Sequence, residues 1–368
     1  MLKRNILLIP KGFFGDLVLM TPAIAALSRS QPNASITVLC TPSAAEFVRR
    51  DPLVSDVIVY DRRKQHKGLS GLRLFAKALA ERQFDVAYTF HGSPRTALLL
   101  RLAGIPERVG YRGSLLGSLY TKRVHKNACV HEVLRTVDLI KDELDDITRH
   151  QFEALFVNQD EGAPWADLRV PQSSNAGISE RVSAITGSSE PYVVLSPGSA
   201  WPTKQWDTEG FRGVAKSYIS KGIRVVIVGA PADVSTARRV GEGLDVEDLC
   251  GQTSLEELIA IIKGASCVVC NDSLALHISS ATKTPVVVVF CATSPLFGFG
   301  PWRNRSVVLE KRDLFCKPCH RHGSRACPTG TRLCMTGVSS SEVVCAVDEF
   351  LGERSGRHQA RHLPVIDS

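Results

Sequence analysis

The stretch Asn5-Ile6-Leu7-Leu8-Ile9-Pro10-Lys11-Gly12-Phe13-Phe14-Gly15-Asp16 sets the terms of the fold. Its first half is a short, uniformly apolar run of the kind that forms a strand covered on both faces. Its second half is a glycine-interrupted turn, after which Leu17, Met20, Ile24 and Leu27 recur at helical spacing. The order is strand, loop, helix. Working outward, residues 36–40, 57–60 and 86–90 read as further strands, with helices near residues 44–49 and 69–81 between them. That alternation predicts a mainly parallel sheet covered by helices.

The same grammar starts again in the second half. Residues 192–196, 224–228, 267–270 and 285–290 are apolar runs separated by amphipathic stretches. Between the two series, residues 157–187 lose periodicity and collect Pro, Ser, Gly and acidic side chains, as an irregular interdomain segment would. A chain of 368 residues that is 44% apolar has material for two cores. The expected organisation is therefore two α/β domains, residues 1–175 and 186–350, facing each other across a cleft. A flexible tail is expected from 351 to 368.

With 45 basic and 37 acidic side chains the net charge is +8, which suits an anionic small molecule or surface better than dedicated nucleic-acid binding. No stacking module or metal finger accompanies the basic residues, so no nucleic-acid partner is expected. The longest strand-like apolar run, 286–292, falls well short of the roughly 20 residues that span a bilayer. Pro10, Lys11 and Gly12 interrupt the first apolar run before a secretory signal could be completed, so a cytoplasmic location is expected. Of eleven cysteines, Cys40, Cys250, Cys267, Cys270 and Cys291 lie in or beside apolar elements and read as small core residues. Cys316, Cys319, Cys327 and Cys334 have metal-like spacing and read either as a structural zinc site or as reduced loop cysteines; no catalytic metal is expected.

Several loops carry polar chemistry where strands hand over to helices. Gly12 and Gly15 permit close approach of backbone to ligand, Gly15 on the acceptor side, while Asp16 is either a helix cap or a base for a substrate hydroxyl. In the second half, Ser199, Thr203 and Lys204 are placed to hold and neutralise an anionic group, or form an ordinary surface turn. Asp272 and Ser273 open a later helix on which His277 either faces ligand or satisfies a packed polar site. Thr293 sits in another sheet-edge loop that can complete a phosphate cradle. There is no Walker A pattern. From Arg95 to Lys126 seven basic residues face the single acidic Glu107, which suggests a surface for an anionic acceptor or membrane, or a merely solvated face. Arg108, Arg112 and Lys122 from this interval, with His91, are the acceptor-side candidates.

Taken together, residues 11–22, 196–206, 271–277 and 293–302 resemble the ADP-heptose:lipopolysaccharide heptosyltransferases of glycosyltransferase family 9, heptosyltransferase II in particular, over nearly the whole chain. The resemblance implies a GT-B architecture of two Rossmann-like domains, with the acceptor on the first and the nucleotide sugar on the second. It implies inverting transfer of a heptose from ADP-heptose to an inner-core lipopolysaccharide heptose, with Asp16 as general base and Lys204 and Asp272 in donor recognition. No cofactor beyond the donor substrate is implied. Contact with an anionic inner membrane would accompany such an acceptor. Transfer of another ADP-activated heptose or hexose, or noncatalytic binding of a nucleotide sugar or glycan, uses the same constellation. Leu274 and Cys291 stand where the family commonly has glycine, which puts side-chain volume near a close backbone approach.

Overall fold

The computed structural model describes residues 4–160, 162–171 and 177–354. The first half forms β1 (Asn5–Ile9), β2 (Ser35–Cys40), β3 (Asp56–Val59), β4 (Val86–Thr89), β5 (Glu107–Tyr111) and β6 (Lys122–Val124). They make one parallel sheet in the order β3-β2-β1-β4-β5-β6. The second half forms β7 (Tyr192–Ser196), β8 (Arg224–Ile227), β9 (Glu247–Asp248), β10 (Cys267–Asn271), β11 (Val286–Val289) and β12 (Ser306–Leu309). Its parallel sheet runs β12-β11-β10-β7-β8-β9, the same doubly wound order taken from the other edge. In each sheet the strand order reverses at the first strand. Open sheets of this kind bind ligands at the carboxyl ends beside that reversal. In the first lobe that crevice lies between the loops after β1 and β4, and in the second between those after β7 and β10.

The helix Phe14–Ser30 is apolar nearly all round, and every residue from Leu17 to Leu27 is buried. An all-round apolar helix needs cover on every side. It has the first sheet on one side, and the first lobe's core also takes in Leu274, Ala281 and Phe299 from the second half. Pro22 lies within this helix and cannot donate to the carbonyl of Val18. The hydroxyl of Thr21 donates to that carbonyl instead, at 2.7 Å, so the helix continues without a buried orphan acceptor.

Three features differ from the sequence reading. The segment 157–187 is not wholly irregular: Ser179 caps a helix Glu180–Thr186 by accepting from the amide of Val182, and Val182 and Ile185 enter a second-lobe core. The helix Ser340–Arg354 continues past Leu351, where a tail was expected; residues 355–368 of that tail lie outside the described residues. Asp16 is no cap, since the residue at the helix entrance is Phe13 and its side chain makes no capping bond.

The five apolar-element cysteines are buried as small core residues, and all eleven cysteines are free thiols. Among the described residues no helix is long and apolar enough to cross a membrane.

Candidate active site

The first-lobe half of the site is a chain of alternating charges. Lys11, in the turn after β1, places Nζ 3.5 Å from Oδ1 of Asp16 and also pairs with Glu132. Glu132 opens the helix Glu132–Leu139 and takes Nη1 of Arg135 at 2.9 Å. Arg135 is fully buried and spends its remaining donors on carbonyls, those of Asn127 at 2.7 Å and Phe297 at 2.8 Å among them. A buried charge persists only when paired and hydrogen-bonded, and each member here supplies its neighbour's partner. Burial alone would raise the Glu132 carboxyl, but Lys11 and Lys126 outweigh it and hold it at about 2. For Asp16 the balance goes the other way. Burial raises its carboxyl above the ordinary value, Lys11 opposes, and the negative charge of Glu132 adds to the rise. A carboxylate made more basic in this way is better suited to taking a proton from a hydroxyl.

The second-lobe half is built on the loops after β7 and β10. Asn271, at the end of β10, donates to the carbonyl of Pro197 at 2.8 Å and accepts from the amide of Trp206 at 2.8 Å, fixing both ends of the loop that carries Lys204. Lys204 then reaches Oδ2 of Asp272 at 2.6 Å, and the same oxygen accepts from Thr293 at 2.9 Å. Ser199 donates to the main-chain oxygen of Asp272 at 3.1 Å. Thr203 turns away, exchanging hydrogen bonds with Ser324, so it anchors the loop rather than facing the crevice. At the start of the helix Leu274–Thr282 the hydroxyl of Ser273 is buried with no partner in the protein, and Nδ1 of His277 is in the same condition. Unpaired buried polar atoms are costly and rare away from functional sites.

The two halves meet at one imidazole. A Cβ built on Gly15 would stand 2.8 Å from Cδ2 of His277, so the first-lobe helix start and the second-lobe helix touch at this glycine. Burial holds the ring at about 4, while Asp272 and Lys204 act on it with opposite sign. Asp16 thus lies one residue from a contact whose far side is governed by the Lys204–Asp272 pair. The lobes are also fastened together by the segment 293–302. The carbonyl of Gly298 accepts from the amide of Glu132 at 2.8 Å, and Trp302 stacks on His131 at 4.5 Å while donating to the carbonyl of Ala166 at 2.7 Å. Gly298 has φ +89 and its Cβ position falls 2.5 Å from the carbonyl of Val130, so no side chain fits there.

His91 follows β4, across the first lobe's reversal point from Asp16, and burial with help from Arg62 and Lys11 holds its ring at about 4. The seven-residue basic interval does not form one acceptor surface. Arg108 is in register with Ala87 and Leu7, at mid-sheet, and its guanidinium donates to the carbonyls of Leu119, Ile105 and Pro106. Arg95 likewise binds Tyr60 and Gly68, and Lys122 pairs with Asp142. Arg112, exposed beyond the end of β5, and Lys126, whose ammonium lies 5.1 Å over the ring of Tyr111, stand at the carboxyl edge, as does Arg95 in its engaged position.

Leu274 packs against cores of both lobes, and Cys291 is buried in a second-lobe core, so their volume serves the seam and the interior. Among the described residues no group of three or more Cys, His, Asp or Glu is placed to hold a metal ion, Cys316, Cys319, Cys327 and Cys334 included. Cys334 enters a core and Cys327 faces Thr329.

The model of glycosyltransferase family 9 (heptosyltransferase) matches residues 72–329. The chain belongs to glycosyltransferase family 9. Lipopolysaccharide heptosyltransferase 2 of Escherichia coli K12 is 27% identical over 304 residues, covering 80% of this chain and 84% of the relative. Among solved structures, a family 9 glycosyl transferase from Veillonella parvula superposes with TM-score 0.80 at 21% identity, over 96% of this chain and 99% of the other. The E. coli ADP-heptose lps heptosyltransferase II gives TM-score 0.72 at 24% identity, over 95% and 99%. The two-lobed α/β architecture is therefore GT-B-like. Within this family 9 chain, Lys11, Glu132, Lys126, Arg135 and Asn271 were not singled out as site residues from sequence. Glu132 and Arg135 left a faint signal, two opposite charges at i,i+3 in a helical run that also carries Val133, Leu134, Val137 and Leu139.

Proposed function

We propose that the protein is an inverting heptosyltransferase that moves L-glycero-D-manno-heptose from ADP-heptose to a heptose of inner-core lipopolysaccharide. The observation that carries this reading is the Gly15–His277 contact, which brings the first-lobe helix start that bears Asp16 against the second-lobe helix whose His277 is flanked by the Lys204–Asp272 ion pair, at the carboxyl edges of both sheets. The relatives named above, two of them described as lipopolysaccharide heptosyltransferases, support the donor and acceptor class. Asp16 takes the proton from the acceptor hydroxyl as its oxygen attacks the anomeric carbon, and the bond to ADP breaks on the opposite face. Charge developing on the diphosphate is met by Lys204, by Ser199, Thr293 and Ser273, and by the amides opening the helix Leu274–Thr282. Lys204 enters that role by sharing its ammonium between Asp272 and the phosphate oxygens. Asp272 then serves the donor site by holding Lys204 and Thr293 in place.

The first lobe, residues 1–175, receives the acceptor beside His91, Arg112 and Gly15; the second, residues 186–350, holds the nucleotide sugar. The reaction needs no metal in this scheme, because the leaving group is stabilised by side chains and helix-end amides. The enzyme works in the cytoplasm, at the inner face of the membrane that carries its acceptor. A mass-resolved assay with ADP-heptose and defined inner-core acceptors, with free ADP measured in parallel, tests the proposal. One added heptose per ADP released is the expected result. Product from a different ADP-sugar alone would reassign the donor, and binding without turnover would make the protein a nucleotide-sugar or glycan receptor.

A further inference from the structure

Residues 62–77 contain six lysines and arginines and no aspartate or glutamate. They form the turn after β3 and most of the helix Gly68–Ala80. One face of that helix is buried through Leu72, Phe75, Ala76 and Leu79, as an amphipathic element requires. The other face is unusual for a soluble surface. Leu69 is 66% exposed and Leu74 70% exposed, with the exposed cations Arg73 and Lys77 beside them. The preceding turn exposes Arg62, Arg63, Lys64 and Lys67. Asp61, the nearest acid, is engaged by the amides of Arg63 and Lys64 at 3.0 Å, and among the described residues none of the six cations is in an ion pair.

This face continues across the first lobe. Arg95 ties the turn to the next helix, with Nε donating to Tyr60 at 2.8 Å and Nη2 to the carbonyl of Gly68 at 2.9 Å. Gly92, just before that helix, lies so near Ser114 that its Cβ position is 3.1 Å from the hydroxyl. The turn after β5 therefore adjoins the same edge, and there Leu115 is 72% and Leu116 47% exposed. Unpaired cations interleaved with exposed leucines, and free of acidic groups, match a surface that offers phosphate outside and hydrocarbon just beneath. A nucleic acid would engage the cations and leave the leucines without a role.

We propose that this face docks the protein on an anionic lipid bilayer, cations at the headgroup phosphates and leucines among the acyl-chain ends. The surface is centred on residues 62–77 rather than on the 95–126 interval singled out from sequence, whose Arg95, Arg108 and Lys122 are engaged within the fold. Docking is independent of transfer chemistry; its use, presenting a lipid-borne acceptor to the carboxyl edge of the first sheet, rests on the function proposed above.

Co-sedimentation of the full chain with extruded vesicles tests it, comparing pure phosphatidylcholine with a mixture holding about a third phosphatidylglycerol. The protein pellets with the anionic vesicles and not with the neutral ones. The triple variant R63E/K64E/K67E lowers partitioning by about tenfold or more, and L69S/L74S lowers it several-fold at unchanged net charge. Both variants retain wild-type transfer to a water-soluble acceptor fragment. Equal pelleting with neutral vesicles, or wild-type binding by the leucine variant, overturns the proposal, as does displacement by single-stranded RNA at matched charge. If transfer fails in every assay while vesicle binding follows this pattern, docking stands and the proposed reaction falls.

Discussion

Gly15 and His277 meet across the seam so closely that a methyl group on the glycine would stand 2.8 Å from Cδ2 of the ring. The lobes' relative placement therefore depends on a hydrogen at this position. Gly15→Ala pushes the imidazole, and with it the helix carrying Ser273, away from Asp16. Misplacement on the scale of 1 Å is enough to cost about 10²-fold in rate. The expected result is a kcat/KM loss of that order with thermal unfolding little changed. A variant as active as wild type would show that the ring moves aside freely.

Asp16→Asn keeps shape and removes the base. Loss of a positioned general base lowers turnover by about 10²- to 10⁴-fold. ADP-heptose affinity, measured by calorimetry, should stay within a few-fold of wild type. Near-normal turnover at saturating substrates would remove Asp16 from the chemistry.

The charges around Asp16 give two substitutions opposite signs. Glu132 raises the Asp16 carboxyl and Lys11 lowers it. Glu132→Gln removes the first influence and leaves Lys11 undivided, so the acid limb of the kcat/KM profile moves to lower pH. Lys11→Met moves the same limb to higher pH. Profiles that shift together, or not at all, would show that another group sets the limb.

Lys204→Ala leaves Asp272 buried without its cation. Removing one member of a buried pair costs roughly 3–5 kcal/mol, which denaturant titration would register. The double variant Lys204→Ala with Asp272→Asn relieves that cost and recovers stability, yet donor affinity and turnover remain low. Recovery of donor binding in the double variant would make the pair purely structural.

Three desolvated histidines make the fold sensitive to mild acid. His91, His131 and His277 are all held by burial at about 4, against 6.5 for an ordinary imidazole. Between those values the unfolded chain binds protons that the folded one refuses, so stability present above 6.5 is lost as pH falls towards 4. Glu132, held at about 2 against 4.5, extends the loss into the next window below. Urea midpoints measured from pH 7 to 4 should fall progressively, and His277→Gln should flatten the first part of that slope. A flat profile down to pH 5 would contradict the buried neutral rings.

Most interior strands were legible because parallel strands covered on both faces are written as continuous apolar runs, as in Ile6 to Ile9 or Val286 to Val289; β5, written Glu-Arg-Val-Gly-Tyr, was not. Of the edges only β3 was read, and β6, β9 and β12 were missed. β6 reads Lys-Arg-Val and β9 is only Glu-Asp, and nothing in their composition separates a two- or three-residue edge strand from a turn. Asp16, Lys204 and Asp272 could be found because each follows a strand in a glycine- or serine-rich turn. Their supports could not. Lys11, Glu132 and Arg135 are joined only after the chain has folded back over more than a hundred residues, and Arg108 looked free until the carbonyls of the turns beside β5 closed on it.

Trp302 lies in sequence beyond β11 but in space within the first lobe's core, fully buried and bonded to Ala166. A fragment ending near residue 175 would therefore lack an indole-sized piece of its own interior. Chimeras that exchange lobes between homologues to mix donor and acceptor preferences must move residues 297–303 with the first lobe, although the chain writes them into the second.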